Sequence, residues 1–204
     1  MRDWNRIALR LVAATLAYNV VEAVVALWAG TEAGSIALFG FGLDSVVECA
    51  AASVMLWHLL VTTRGGDACS IEASEHRAHR FIGFTFLALA AYVAVQAGRT
   101  LWLREKPLES IPGIVLASLS LILMPLAALA KIRAAKEIGS AALRAEAKET
   151  LACAGLSAAL LLGLGANAAL GWWWADPAVA LCMVPWLVKE GREGLRGEGC
   201  CAED

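Results

Sequence analysis

Four side chains that can bind metals or protons occur in apolar stretches of the sequence, where such groups are rare. Asp44 and Glu48 are four residues apart, and Glu149 and Cys153 repeat that spacing further along the chain. On a helix, residues four apart lie on one face, one turn above the other. Zn(II) accepts carboxylate and thiolate ligands, usually in a tetrahedron. The sequence therefore predicts a metal site at Asp44, Glu48, Glu149 and Cys153, provided that the two helix faces meet.

Charges in apolar stretches are costly, and four acids lie inside the predicted spans: Glu22, Asp44, Glu48 and Glu149. At the centre of a bilayer each ionised group costs about 2.5–3.5 kcal/mol on insertion scales. Asp44 and Glu48 also repel each other unless a proton or a cation lies between them. We interpret the set as an ion pathway rather than as polar contacts between helices. Because metal binding to such groups displaces protons, the set predicts metal–proton exchange, and mixed oxygen and sulfur donors favour soft or borderline ions over Mg²⁺ and Ca²⁺.

Other polar residues in or beside the apolar stretches have two possible roles each. Asn19 and Glu22 are three apart, and they either supply a second cation or proton site or form hydrogen bonds between helices. Lys148 either neutralises a carboxylate of the site or extends to the interface. His58 is expected at the interface, near the inner end of the second apolar stretch.

Residues outside the apolar stretches suggest a route by which metal reaches the site. His76 and His79 follow two glutamates before the third apolar stretch, and they either capture metal or belong to a solvated helix end. Cys200 and Cys201 stay reduced in a reducing compartment. They either pass a soft metal to the site or belong to a loose tail.

The composition indicates which elements must position these residues. Of 204 residues, 59% are hydrophobic and 18% charged, with a net charge of -2. Soluble domains are typically about half apolar and a quarter charged, so an ordinary soluble enzyme and a disordered chain are excluded. The net charge excludes a basic nucleic-acid binder. Since a membrane helix needs about 20 apolar residues, we predict an all-α fold with six transmembrane helices, at 7–29, 34–62, 79–102, 112–132, 141–168 and 177–193.

The basic residues predict the orientation of these helices. Lys and Arg occur at the N-terminus, in the 2–3 and 4–5 connections and in the C-terminal tail, with Lys131 counted in the 4–5 connection. The 1–2 and 5–6 connections have no Lys or Arg. Only three basic residues, near the 3–4 connection, lie on the opposite side from the others. The positive-inside rule therefore places both termini in the cytoplasm. It also places residues 172–174, three tryptophans, at the outer interface.

Several stretches of the chain resemble the cation diffusion facilitator transporters. The matching segments follow the order of that family and cover nearly the whole chain. They are YNVVEA at 18–23, GSIAL at 34–38 and LDSVVE at 43–48 for the first two spans, ALRAEAKE at 142–149 for the start of the fifth, and WWADP at 173–177 with KEG at 189–191 for the sixth.

The resemblance implies a role for each residue of the predicted site. In that family two residues four apart on span two join a His and an Asp four apart on span five in a tetrahedral Zn(II) site. Asp44 and Glu48 match the first pair, Glu149 stands where the family has His, and Cys153 where it has Asp. The thiol shifts the preference toward softer ions such as Cd(II), Hg(II) or Zn(II). Family members usually exchange a divalent metal for protons as homodimers.

The resemblance also implies the domain organisation and the location of the protein. We expect residues 1–195 to form the transmembrane domain and residues 196–204 a short cytoplasmic tail, without the family's usual C-terminal domain. The protein would be a multi-pass protein of the bacterial inner membrane. It would be a secondary-active transporter rather than an enzyme, and the lipid bilayer, protons and a second copy would be its partners. The metal, most simply Zn(II), would be the transported substrate, and no tightly bound cofactor is expected.

Two other functions compete with transport. The Glu149 and Cys153 substitutions also suit a non-transporting scaffold or a metal-sensing relative with a degenerate site. An intramembrane enzyme is disfavoured because the sequence has neither a His-Glu-x-x-His nor a Gly-x-Ser-x-Gly motif. The aspartyl intramembrane protease motif needs Gly directly before its Asp, and Leu43 occupies that position before Asp44.

Overall fold

A computed structural model describes residues 4–32, 36–65, 68–104 and 111–196, and these ranges form six α-helices without any strand. The predicted all-α class is therefore confirmed for the described residues, and each predicted span corresponds to one helix. Cys200 and Cys201 lie outside the described residues. The helices are α1 (Trp4–Glu32), α2 (Ile36–Thr63), α3 (Ala68–Leu103), α4 (Ile111–Ile138), α5 (Ala141–Leu170) and α6 (Ala175–Arg196).

Within the described residues, four helices (α1 to α4) are long and apolar enough to cross a membrane. Their outer faces carry large apolar side chains: Val24, Trp28, Trp102 and Ile122 are each more than half exposed. Such faces suit lipid, in which helices satisfy their own backbone hydrogen bonds. Length, composition and exposed faces together indicate an integral membrane protein. The number of spans and their orientation stay predictions.

The helices that carry the predicted site pack against one another. α1 packs against α2 and α4, and α5 packs against both α2 and α4. Small side chains let membrane helices approach closely. Ala51 and Ala52 of α2 and Ala147 and Ala152 of α5 are fully or almost fully buried. The α2–α5 contact on which the predicted site depends is therefore present.

Polar and apolar residues alternate in layers along the helices. On α1, buried Thr15, Asn19 and Glu22 separate an apolar cluster at Ala8 and Val12 from a second one further along the helix. On α2, residues 44, 45 and 48 separate the same two clusters. The bundle therefore holds a buried polar layer between two apolar layers, and the predicted site lies in that layer.

α3 and α6 form a tightly packed pair beside the other four helices. A Cβ atom added at Gly83 would lie 2.8 Å from the backbone carbon of Gly194. The two backbones are thus in direct contact, as small residues at helix crossings allow. α3 packs against α2 and α5, and α6 packs against α5.

Candidate metal centre

The predicted ligands lie near the middle of their helices and are buried. Asp44 and Glu48 on α2 and Glu149 and Cys153 on α5 are all 5% exposed or less. At about 1.5 Å of rise per residue, Glu48 and Cys153 each lie roughly 20 Å from the bundle end at which α2 stops and α5 begins. They therefore lie deep in the bundle.

Three ligand atoms of this layer lie closest together. One carboxylate oxygen each from Glu22 and Glu48 and the sulfur of Cys153 are all within 4.8 Å of one another. These residues come from α1, α2 and α5 respectively. Zinc ligands lie about 2.0–2.3 Å from the ion, so modest side-chain movement would bring the three atoms around one cation. We call Glu22, Glu48 and Cys153 the ligand triad.

Asp44 and Glu149 lie beside the triad rather than within it. The charges of Asp44 and Glu149 both interact with that of Glu48. Asp44 Oδ2 and both carboxylate oxygens of Glu48 and Glu149 are buried, without a hydrogen-bond partner among the described residues. Buried polar atoms are nearly always paired. These oxygens are therefore the atoms of the layer most in need of a proton or a cation.

Glu22 differs from the other acids because three hydroxyl groups hold it. Ser45 Oγ donates to Glu22 Oε2 at 3.0 Å, Tyr18 OH donates to Oε1 at 3.4 Å, and Ser120 Oγ also donates to Oε1. The sequence left two roles open for Glu22, a second cation or proton site with Asn19 or hydrogen bonds between helices, and the bonds from Ser45 on α2 and Ser120 on α4 are of the latter kind. The structure places its carboxylate next to Glu48 and Cys153, because α1 packs against α2. Asn19 is buried, with its Oδ1 unpaired among the described residues.

Two lysines form ion pairs with acids on neighbouring helices. Lys131 does not lie in a connection, because α4 continues to Ile138; the side chain is buried, with Nζ 2.6 Å from Glu146 Oε1. Lys148 forms an ion pair with Glu190 of α6, so its ammonium is already paired away from the triad. The sequence alone does not show these pairings because each partner lies on another helix.

A second polar network lies at the end of the bundle where α5 begins. His58, near the end of α2, is buried inside the bundle, with Nε2 2.7 Å from Glu75 Oε2 and Nδ1 2.7 Å from Ser74 Oγ. Glu75 also accepts hydrogen bonds from Ser140 Oγ at 2.9 Å and from the Ala142 backbone N–H at 2.7 Å. The carboxylate of α3 therefore caps the first turn of α5 and joins it to α2. A local signal for this helix start was available in Ser140, a preferred N-cap residue.

The predicted metal-capture residues form no comparable group. His76 is exposed and His79 half-buried. Within the described residues, no set of three clustered metal ligands includes either histidine. Their role in metal capture stays a prediction.

The architecture and the buried layer agree with a comparison at the family level. The family model for the cation efflux transmembrane domain matches residues 12–196. The chain belongs to the cation efflux family. The predicted resemblance to the cation diffusion facilitators is thus confirmed, and the match includes Glu22, Glu48 and Cys153. No individual curated protein matches the chain. Membership indicates a transporter of divalent cations rather than a classical enzyme.

Proposed function

We propose that this cation efflux protein exchanges a soft divalent cation, Zn(II) or Cd(II), for protons at a buried site between α1, α2 and α5. The observation that carries the proposal is the ligand triad of Glu22, Glu48 and Cys153, with its three ligand atoms within 4.8 Å of one another. Glu48 is central to it because neither of its oxygens has a hydrogen-bond partner among the described residues.

The charge of the buried layer supports cation binding. Within the described residues the buried acids outnumber the buried bases. The acids are Glu22, Asp44, Glu48, Glu146 and Glu149, and the bases are Lys131 and, in the separate network with Glu75, His58. Uncompensated charge in a low-dielectric interior is strongly unfavourable. Protons or a metal ion must therefore balance the excess acids.

Competition between the two kinds of cation supplies the coupling. A carboxylate or thiolate must lose its proton before it binds metal, so metal and protons exclude each other at Glu48 and Cys153. A site that faces the two sides of the membrane in turn would then release metal where protons are plentiful. Asp44 or Glu149, which flank the triad, would supply the fourth ligand after rotation of the side chain.

The sulfur of Cys153 supports a preference among metals. Thiolates favour Zn(II) and softer ions, whereas carboxylates and water suit Mg²⁺, Ca²⁺ and Mn²⁺. The distribution of basic residues supports cytoplasmic termini, and the family resemblance supports export from the cytoplasm. We extend the proposal to a homodimer in the bacterial inner membrane, on the strength of the family resemblance.

Metal flux into proteoliposomes under an imposed pH gradient tests the proposal. Zn(II), Cd(II), Co(II) and Mn(II) are offered separately to wild type, to Glu48→Gln and to the control Glu137→Gln, which alters an exposed acid on α4. We expect gradient-dependent Zn(II) or Cd(II) flux that Glu48→Gln lowers at least about tenfold and Glu137→Gln leaves unchanged; loss of one charged ligand affects cation binding on this scale.

The other outcomes contradict specific parts of the proposal. Unchanged flux in Glu48→Gln would exclude the triad as the transport site. Flux independent of the pH gradient would exclude proton exchange. No flux for any metal, with wild-type protein folded and inserted, would favour the non-transporting scaffold.

A further inference from the structure

A buried ion pair next to the ligand triad is not explained by metal ligation. Lys131 Nζ on α4 lies 2.6 Å from Glu146 Oε1 on α5, and the two side chains are 1% and 3% exposed. The ammonium also donates to Thr150 Oγ1 at 3.1 Å. Lys131 is the only buried residue among the lysines and arginines in the part of the chain that the structure describes.

The ion pair lies on the same face of α5 as the predicted ligands. Glu146, Glu149, Thr150 and Cys153 follow one another at intervals of three, one and three residues, which is the spacing of one helix face. The charge of Lys131 interacts with that of Glu48, and the charge of Glu146 with that of Glu149. The pair and the triad therefore share one electrostatic environment.

The Lys131 ammonium has other unpaired carboxylate oxygens near its ion pair with Glu146. Glu146 Oε2 is buried without a partner among the described residues, and so are both oxygens of Glu149, three residues further along α5. A lysine ammonium is a compact charge at the end of a flexible four-carbon stem. It can therefore be shared between acids on this face of α5 without movement of the backbone.

The need to hold α4 against α5 does not explain why this ion pair is buried at a cost in free energy. The two helices are consecutive, separated only by Gly139 and Ser140, and they pack together along their length. Replacing a buried ion pair with apolar residues is often neutral or stabilising. A function that needs the charge itself explains the pair better than helix attachment does.

We propose that Lys131 is a tethered counter-cation of the metal site: its charge opposes cation binding at the triad, and its ion pair with Glu146 limits that opposition. This inference rests on the proposed function. Lys131 partly balances the acids when the metal leaves, so the site releases its cation instead of trapping it. Lys131 thus sets affinity without being a ligand.

Opposite changes in affinity distinguish this role from a structural one. Lys131→Met removes a like charge from the neighbourhood of the metal and is expected to tighten Zn(II) binding about tenfold, the low end of what a nearby charge does to cation affinity. Glu146→Gln releases the ammonium toward Glu149 and is expected to weaken binding about tenfold. The double variant, which removes both charges, is expected to lie within about threefold of wild type, since the two effects oppose each other.

The experiment measures the Zn(II) dissociation constant of the purified protein in detergent, by competition with a fluorescent zinc chelator. The variants are Lys131→Met, Glu146→Gln, the double variant, and Lys131→Arg, which keeps the charge and is expected to bind like wild type. Lys136→Met, which removes an exposed charge on α4, is the matched control and is expected to have no effect. Thermal unfolding of each variant shows that it is folded.

Each result decides between the alternatives. If the ion pair only stabilises the fold, both single variants lose stability, and their Zn(II) affinity is either weakened in both or unchanged in both. Either of these affinity patterns overturns the inference. If Lys131→Met does not fold, Glu146→Gln and the double variant still test the inference. An unchanged Zn(II) dissociation constant in Glu146→Gln then overturns the inference. Loss of Zn(II) binding in Glu48→Gln, together with an unchanged dissociation constant in Glu146→Gln, refutes this inference alone. Folded wild type that binds no Zn(II) refutes the proposed zinc site as well.

Discussion

Replacing Glu75 with alanine removes the carboxylate that joins α2, α3 and the start of α5. The variant loses the cap on the Ala142 N–H, worth about 1 kcal/mol. It also loses the bonds from His58 and Ser140, and hydrogen bonds to a charged group contribute about 1.5–3 kcal/mol each. Because the Glu75 side chain is 26% exposed, water can form some of the hydrogen bonds that the variant loses. We therefore expect the free energy of unfolding to fall by about 3 kcal/mol.

Unfolding of the purified protein by SDS in mixed micelles, followed by circular dichroism, measures this change. The matched control is Glu72→Ala, an exposed acid on the same helix, which is expected to change the free energy by less than about 0.5 kcal/mol. Glu75→Gln keeps one acceptor oxygen for the Ala142 N–H and is expected to fall between wild type and Glu75→Ala. A loss below about 1 kcal/mol in Glu75→Ala, or an equal loss in Glu72→Ala, would refute the assignment of Glu75 as the cap that links these helices.

Two further predictions concern the triad and the α3–α6 pair. Cys153→Ser replaces a soft ligand with a hard one, so we expect Cd(II) affinity, measured by isothermal titration calorimetry, to fall at least about tenfold more than Co(II) affinity; equal losses would contradict a thiolate ligand. Gly83→Ala forces a Cβ against the Gly194 backbone, and overpacking of this kind costs about 1–3 kcal/mol. We expect the melting temperature in detergent to fall in that variant but not in Gly98→Ala, whose added Cβ has no neighbour within 4 Å; similar melting of both variants would argue against close packing of α3 on α6.

Much of the fold could be predicted because it depends on local patterns. Apolar stretches of about 20 residues are sufficient to predict membrane helices, and each predicted span corresponds to a helix in the structure. The ends of the helices were less predictable. α3 begins at Ala68 rather than at residue 79, and α4 continues to Ile138 rather than to residue 132. Both extensions contain charged residues, which hydropathy excludes from a span although they are compatible with a helix.

The candidate site was predictable only within single helices. Residues four apart on one helix share a face in any environment, so Asp44 with Glu48 and Glu149 with Cys153 could be paired from the sequence. How close a residue on one helix comes to residues on another depends on how the helices rotate and pack. That arrangement places Glu22, from the first helix, in the ligand triad.

The sequence alone was sufficient to predict an α-helical membrane protein of the cation efflux type, with acids and a thiol in its apolar spans. Composition and helical periodicity are local properties, and they do not depend on how the helices pack. The pairings of Lys131 with Glu146 and of His58 with Glu75, in contrast, depend on how the helices pack against one another. The partner of each of these buried charges lies on a different helix. The spacing of residues along one helix therefore does not predict it.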